Sequence, residues 1–82
     1  MTDKEKPMLP LTLISPGREV ILRAIAGGRQ IRSRLTDMGF VPDLEFKVLQ
    51  NFKPGPCVIS IGNARIALGR GVSEKILVVE KE

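Results

Sequence analysis

The chain has 82 residues, 43% hydrophobic and 27% charged, and its thirteen basic and nine acidic residues give a formal net charge of +4. This length allows one domain near the lower limit for a single apolar core, and a lone cysteine, Cys57, excludes an internal disulfide. No apolar run approaches the roughly 18 residues of a membrane-spanning helix, and the charged, proline-broken start does not match a signal peptide. We therefore expect a cytoplasmic protein without direct membrane insertion.

The first part of the chain predicts a polar tail and two strands. Residues 1–7 have no apolar pattern and are predicted to be disordered. The stretch LPLTLI at 9–14 predicts a short strand, which Pro10 assigns to a sheet edge or a strand start. A turn at 15–17 follows, and EVILRAI at 19–25 predicts the second strand.

The next segment, RQIRSRLTDM at 29–38, predicts a helix that begins after two glycines. Ile31, Leu35 and Met38 recur at helical spacing and form one narrow apolar stripe. All three residues of the stripe, including Met38, are therefore expected in the core.

The residues after this stripe predict an abrupt helix end. Gly39 is expected to adopt the left-handed conformation that closes a helix, and Phe40 to fold back on Leu35 as in a Schellman motif. Pro42 then prevents any continuation of the helix.

The second half of the chain predicts four more strands. LEFKVLQ at 44–50 alternates apolar and polar residues, and ILVVE at 76–80 closes the chain. CVISI at 57–61 and ARIAL at 64–68 flank Gly62-Asn63, a two-residue hairpin signal. This hairpin pairs Cys57 with Leu68 on the apolar face and leaves GRGVSEK as a loop or a single helical turn.

These short segments, which we expect to supply a barrel of about five strands, and one short helix predict a mainly β fold. We expect a small, partly open β-barrel with the helix closing one end.

The composition leaves little scope for catalysis. The chain has no histidine and no second cysteine, and its acids are mostly spread singly, so no nucleophile pair and no metal or cofactor site is predicted. Cys57 is expected to be inert packing. Tyrosine and tryptophan are absent and the three phenylalanines are assigned to the core and the helix cap, so no aromatic platform for proline-rich peptides or nucleic-acid bases is expected. The sequence does not predict an enzyme.

The basic residues are scattered and interrupted by acids. This pattern favours an ordinary solvated surface over an acidic protein partner, and both over a phosphate-binding face.

Four motifs resemble the FeoA family over about residues 9–80. They are G-x-x-I-R-S-R-L-x-D-M-G-F-x-P from Gly28, then Gly-Pro-x-x-I-x-I, R-I-A-L-G-R and the terminal I-L-V-V. The resemblance implies an SH3-like barrel with one inserted helix, here at 8–80. It also implies an accessory role in bacterial ferrous iron uptake, through contact with the cytoplasmic GTPase domain of the FeoB transporter. The chain would then lie at the inner face of the membrane through its partner, and no nucleic acid is expected.

One position departs from the family pattern. Where the family usually has Pro-Gly, this chain has Pro42-Asp43. Aspartate tolerates positive φ less well than glycine, so a type I turn is expected in place of type II.

Two alternatives stay open at this level. The SH3-like domain of diphtheria-toxin-repressor-type iron regulators shares the pattern, although it follows a helix-turn-helix module and only a polar tail is expected before residue 9 here. A small basic barrel that binds RNA is the other, and strongly salt-dependent binding to nucleic acid would distinguish it.

A protein without catalytic groups acts through its surface. Arg29, Arg32 and Arg34 lie off the apolar stripe, and the rigid helix end positions Val41 and Pro42 beside them. Arginine with apolar anchors is typical of protein interfaces, so these five residues are the predicted partner-binding patch. The simpler alternative is an ordinary solvated helix face.

Overall fold

The structure is a computed structural model that describes residues 6–82, and its main feature is one antiparallel sheet that does not close. Its strands are β1 (Leu9–Pro10), β2 (Glu19–Ile25), β3 (Glu45–Asn51), β4 (Cys57–Ile61), β5 (Ala64–Leu68) and β6 (Ile76–Glu80). They lie in the order β1-β6-β2-β3-β4-β5, which leaves β1 and β5 at the edges. The mainly β, partly open SH3-like architecture predicted from the sequence is confirmed.

Two helices interrupt the strands. Helix α1 (Arg29–Asp37) lies between β2 and β3, and α2 (Arg70–Ser73) is a single turn between β5 and β6. Residues 6–82 therefore contain six strands and two helices, compared with the five strands and one helix predicted. No helix in this part of the chain is long and apolar enough to cross a membrane.

The predicted strand at 9–14 is wrong beyond its first two residues. After β1 the chain turns into a 3-10 helix, Leu11–Leu13. Pro10 has no N–H to continue a ladder. The carbonyls that a longer strand would have paired accept hydrogen bonds from the side chain of Asn51 instead, at 3.2 Å for Leu11 and 3.1 Å for Thr12.

The predicted tail, 1–7, lies mostly outside the described residues. The structure describes its last two residues, Lys6 and Pro7. The ammonium nitrogen of Lys6 donates to the carbonyl of Glu80 at 2.6 Å and lies 3.3 Å from the carboxylate of Glu82.

The core is formed by alternate side chains of the strands together with the helix end. Leu35 of α1 and Phe40 just beyond it are both buried in the same cluster as Val48 and Ile59 of the sheet. The rings of Phe40 and Phe46 meet edge to face with centroids 5.7 Å apart, a favoured aromatic geometry. The helix is thus held on the sheet by its second half.

The predicted helix end is confirmed. Gly39 has φ +102°, its N–H donates to the carbonyl of Thr36 at 3.0 Å, and the N–H of Phe40 donates to that of Leu35 at 2.9 Å. These two hydrogen bonds define a Schellman motif. Phe40 and Leu35 share the core cluster, as the motif requires.

Met38 was predicted to be in the core, and this prediction is wrong. Its side chain is 45% exposed, and the residue is the C-cap of α1, one position beyond the helix. It lies at the open edge of a groove between α1 and the end of β5, where Ala67 and Val72 form the opposite wall.

The hairpin of β4 and β5 has the predicted register, with Ile61 opposite Ala64 and Cys57 opposite Leu68. Gly62 has φ +57°, which suits the first central position of a type II′ turn. Cys57 is fully buried on the apolar face.

Replacing Gly39 by valine should lower the free energy of unfolding by about 1–3 kcal/mol, because a β-branched residue is strained at positive φ. Nothing lies within 4 Å of a Cβ added at Gly39, so the loss would report backbone strain and not a clash. Chemical denaturation measures it.

Gly71→Ala is the matched control. A Cβ added at Gly71 also meets nothing within 4 Å, and Gly71 lies inside α2 without a positive φ. The free energy of unfolding of the Gly71→Ala variant should therefore equal that of the parent or be slightly higher. An unchanged unfolding midpoint for Gly39→Val would contradict the left-handed assignment.

Candidate partner-binding site

The five predicted patch residues all lie on the surface around α1. Arg29, Arg32 and Arg34 are exposed on the helix, Pro42 is exposed beyond it, and Val41 is 44% exposed. The structure therefore leaves all five accessible to a partner, as the sequence analysis expects, and does not use them in the core.

Helix α1 divides the patch between two grooves. Arg32 and Pro42 border a groove of about 300 Å³ between α1 and the end of β2. Arg34 borders a second groove, of about 430 Å³, on the side of β5 and α2. Arg29 and Val41 border neither of them. Of the five predicted residues, the first groove thus brings together Arg32 and Pro42, while Arg34 faces the opposite side.

The first groove also contains Arg23 and Thr36, which the sequence analysis did not select. Arg23 lies where the pairing of β2 with β6 shifts between Leu22 and Ala24. Such a bulge inserts one residue into the strand and changes the direction of its side chain. The charged residue within an otherwise apolar strand was the only sequence signal for it.

Arg23 is directed towards the turn that follows the helix. Its guanidinium pairs with the carboxylate of Asp43. The N–H of Asp43 donates to the carbonyl of Leu22 at 3.1 Å, and the N–H of Leu22 donates to Leu44 at 2.8 Å. The loop after α1 is therefore hydrogen-bonded to β2 immediately before the bulge.

The turn at Pro42-Asp43 is type II, so the predicted type I turn is wrong. Asp43 has φ +66°, and the N–H of Leu44 donates back to the carbonyl of Val41 at 3.1 Å. Aspartate is one of the few residues with a side chain that visit this region. Here the hydrogen bonds to Leu22 and the ion pair with Arg23 hold it there.

Within the part of the chain that the structure describes, the three helix arginines have no ion-pair partner. Among residues 6–82, none of Arg29, Arg32 and Arg34 lies within salt-bridge distance of a carboxylate. The first turn of α1 contains no acid, and Gly28 provides no side-chain cap. Arg29 and Arg32 therefore place positive charge at the positive end of the helix dipole, an arrangement that disfavours the helix. A carboxylate from outside the chain would relieve it.

The Arg of the A-L-G-R motif has a structural role. Arg70 donates to the carbonyl of Gly55 at 3.1 Å and to the side-chain oxygen of Asn51 at 2.7 Å. Asn51 in turn binds the carbonyls of the 3-10 helix and, at 2.7 Å, that of Ile14. This motif therefore holds one end of the barrel together and is not part of the patch.

Cys57 provides no reactive thiol. Burial raises its pKa, and the nearby Arg70 and Ser73 offset this only in part. The thiol therefore stays protonated and inaccessible at neutral pH. Within the described residues, no three side chains of histidine, cysteine, aspartate or glutamate lie close enough to hold a metal ion.

Comparison with known proteins assigns the family. The model of the FeoA domain matches residues 9–80. The chain belongs to the FeoA family. A protein of Methanocaldococcus jannaschii with the provisional name Fe(2+) transport protein A is 39% identical over 75 residues, which are 92% of this chain and 90% of that protein. The resemblance of the four motifs to FeoA is thus confirmed.

Solved structures show the same fold. The crystal structure of an iron uptake regulatory protein, FeoA, has a TM-score of 0.84 at 33% identity and covers 92% of this chain and 100% of that one. A manganese-dependent transcriptional repressor has a TM-score of 0.83 at 22% identity, over 93% of this chain and 43% of the repressor. The second likeness shows that the FeoA fold also occurs as a domain of larger proteins.

Asp43→Ala should lower the free energy of unfolding by about 1–2 kcal/mol, since alanine tolerates positive φ less well than aspartate and the ion pair is lost as well. Asp43→Gly is the matched variant and should lie within about 0.5 kcal/mol of the parent, because glycine removes the backbone cost and the exposed ion pair contributes little. Equal losses for both variants in chemical denaturation would mean that the ion pair, and not φ, is the main term.

The isolated protein should not bind Fe(II) or Zn(II) tightly, because it lacks the imidazole and paired thiolate ligands that such sites need. Anaerobic titration calorimetry measures this. One stoichiometric site of micromolar affinity or better would contradict the expectation.

Proposed function

We propose that this protein is an accessory protein of ferrous iron uptake that acts by contact with the cytoplasmic GTPase domain of a FeoB-type membrane transporter. The observation that carries the proposal is the match of nearly the whole folded chain, residues 9–80, to the FeoA domain. The name of the 39% identical relative, an Fe(2+) transport protein, places that relative in the same process.

The side chains available favour a role through protein–protein contact over a catalytic role. It has no histidine, and its single thiol is buried with a raised pKa. No arrangement within residues 6–82 resembles a nucleophile with its base or a metal centre. We therefore propose that the protein is not an enzyme and that its effect on iron is indirect.

The contact surface that we propose is centred on Arg29, Arg32, Val41 and Pro42. The two arginines are exposed, have no acidic partner among the described residues and lie at the unfavourable end of the helix dipole. Val41 and Pro42 are held by the Schellman motif on one side and the type II turn on the other. A rigid apolar tip beside unpaired arginines suits an acidic, partly apolar protein surface.

Arg34 contributes from the opposite side of α1. It borders the second groove together with the exposed Met38. We propose that it has a secondary role, because a partner seated on Val41 and Pro42 reaches Arg32 without crossing the helix.

The test is charge reversal at the helix start. Arg29→Glu/Arg32→Glu should weaken binding to the purified cytoplasmic domain at least about tenfold, equivalent to ~1.4 kcal/mol, with little change in melting temperature. Val41→Asp should act in the same direction. Titration calorimetry and a thermal melt of each variant measure the two effects.

Lys47→Glu/Arg65→Glu is the matched control. Both residues are exposed on neighbouring strands of the sheet, flanking Ser60 in register, and the net charge changes by the same amount. This variant should bind as the parent does. The reverse pattern, with the helix variant unaffected and the sheet variant impaired, would place the interface on the β4–β5 hairpin.

A further inference from the structure

The two most exposed large apolar side chains of the described residues are Phe52, at 67%, and Leu13, at 66%. The sequence analysis assigned all three phenylalanines to the core and the helix cap, and for Phe52 this is wrong. Strand β3 extends to Asn51, whose side chain turns inward to the 3-10 helix. Since side chains alternate along a strand, the next residue, Phe52, points outward.

The fold brings Phe52 and Leu13 to the same end of the barrel. The side-chain amide of Asn51 donates to the carbonyls on both sides of Leu13, at 3.1 Å to Thr12 and 2.7 Å to Ile14. Phe52 is the next residue after Asn51. The two exposed side chains are therefore carried by segments that are bonded to one another.

This end of the barrel is held rigidly. Arg70 donates to Asn51 at 2.7 Å and, at 3.1 Å, to the carbonyl of Gly55 in the loop that carries Phe52. Both apolar side chains are thus presented from a fixed backbone, which lowers the ordering cost of any contact that they make.

The charge at this end has one sign. Three segments meet here, LTLISPG (11–17), FKPGP (52–56) and GRG (69–71), and their only charged residues are Lys53 and Arg70. The hydrogen bonds of Arg70 go to neutral oxygens. Because Arg70 is partly buried and bonded within the fold, Lys53 is the charge that these segments expose, with no acid in any of the three.

We infer that the Phe52 tip, defined as Leu13, Phe52 and Lys53, rests on the headgroup region of an anionic lipid bilayer. Neither apolar side chain borders the grooves beside α1, and both project into solvent. The acyl boundary of a bilayer accepts such projecting side chains without a shaped pocket, while anionic headgroups attract Lys53. This is a surface contact, so it is compatible with the expectation that the chain does not insert directly into a membrane.

The inference rests on the proposed function, which brings the chain to a membrane transporter. Two apolar side chains and one lysine give only weak binding by themselves, and stable attachment to a membrane takes two signals. The transporter contact around Arg29 and Arg32 would provide one signal and the Phe52 tip the other. The two surfaces do not share a residue, so they can be tested separately.

The experiment is sedimentation of the full chain with lipid vesicles at increasing lipid concentration. The parent should bind vesicles that contain phosphatidylglycerol more strongly than vesicles of phosphatidylcholine alone, and less strongly at high salt. Leu13→Ser/Phe52→Ser should reduce the partition coefficient at least roughly tenfold. Lys53→Glu should reduce the preference for anionic vesicles roughly fivefold or more.

Two matched variants test whether any loss of vesicle binding is specific to the Phe52 tip. Met38→Ser removes an exposed apolar side chain beside α1, and Arg65→Glu makes the same charge change as Lys53→Glu on β5. Both should partition as the parent does. Because all of these side chains are exposed, each variant should keep the parent's melting temperature, which excludes unfolding as the cause.

Three results would overturn the inference. The first is a parent chain that does not bind anionic vesicles, and the second is a serine double variant that binds them as well as the parent does. The third is a serine double variant that loses affinity for the soluble cytoplasmic domain in the absence of lipid, which would make the tip a protein interface. Failure of the proposed function is distinguishable, since it appears as absent binding of the parent to that soluble domain.

Discussion

The side chain of Asn51 organises one end of this fold. Its amide nitrogen lies within 3.2 Å of three carbonyls, those of Leu11, Thr12 and Ile14, and its oxygen accepts from Arg70. Together these bonds attach the chain before β2 to the end of β3 and to α2. They also explain why the apolar run after β1 forms a turn and not a strand, since its carbonyls are satisfied by a side chain.

This arrangement has a cost. One nitrogen of the Arg70 guanidinium, Nη2, is buried without a hydrogen-bond partner among the described residues, and burying an unpaired donor disfavours folding. The other two contacts of Arg70 compensate, because they satisfy the side-chain oxygen of Asn51 and the carbonyl of Gly55 in the loop after β3. A motif shared with the FeoA family, A-L-G-R, thus has a structural explanation that needs no ligand.

The opposite end depends on backbone conformation. Between α1 and β3 the chain passes through positive φ twice, at Gly39 and at Asp43. The first position is occupied by glycine, which adopts positive φ without steric cost. The second is occupied by aspartate, which the bulge at Arg23 and the hydrogen bonds to Leu22 stabilise. The result is a fixed direction for Val41 and Pro42, on which the proposed contact depends.

Local signals in the sequence were sufficient for much of this structure. The alternation of β3, the Gly62-Asn63 turn and the Gly39 stop each act within a few residues, so their predictions hold. The misses at Asp43 and the 3-10 helix share one cause. Each is decided by a partner distant in the chain, Arg23 for the first and Asn51 for the second. Phe52 is exposed because the side chain before it, that of Asn51, turns inward to the 3-10 helix. The exposure of Met38 likewise depends on the unfilled space beside β5, which periodicity does not reveal.

The same distinction applies to the candidate site. Surface exposure of Arg29, Arg32 and Arg34 follows from helix geometry and was predictable. Their division between two grooves was not, because it depends on where β2 and β5 lie against the helix. Arg23 borders the first groove because of the bulge in β2, which the sequence pattern did not predict.

The sheet stays open, and an open sheet has two edges at which a foreign strand could add. At one edge, β1 has only two residues and one is Pro10, which cannot donate to a neighbour. At the other edge, β5 is five residues long and carries an exposed arginine, Arg65, a charge of the kind that discourages pairing between sheets. Each edge of the open sheet therefore carries a feature that disfavours the addition of a strand from another chain.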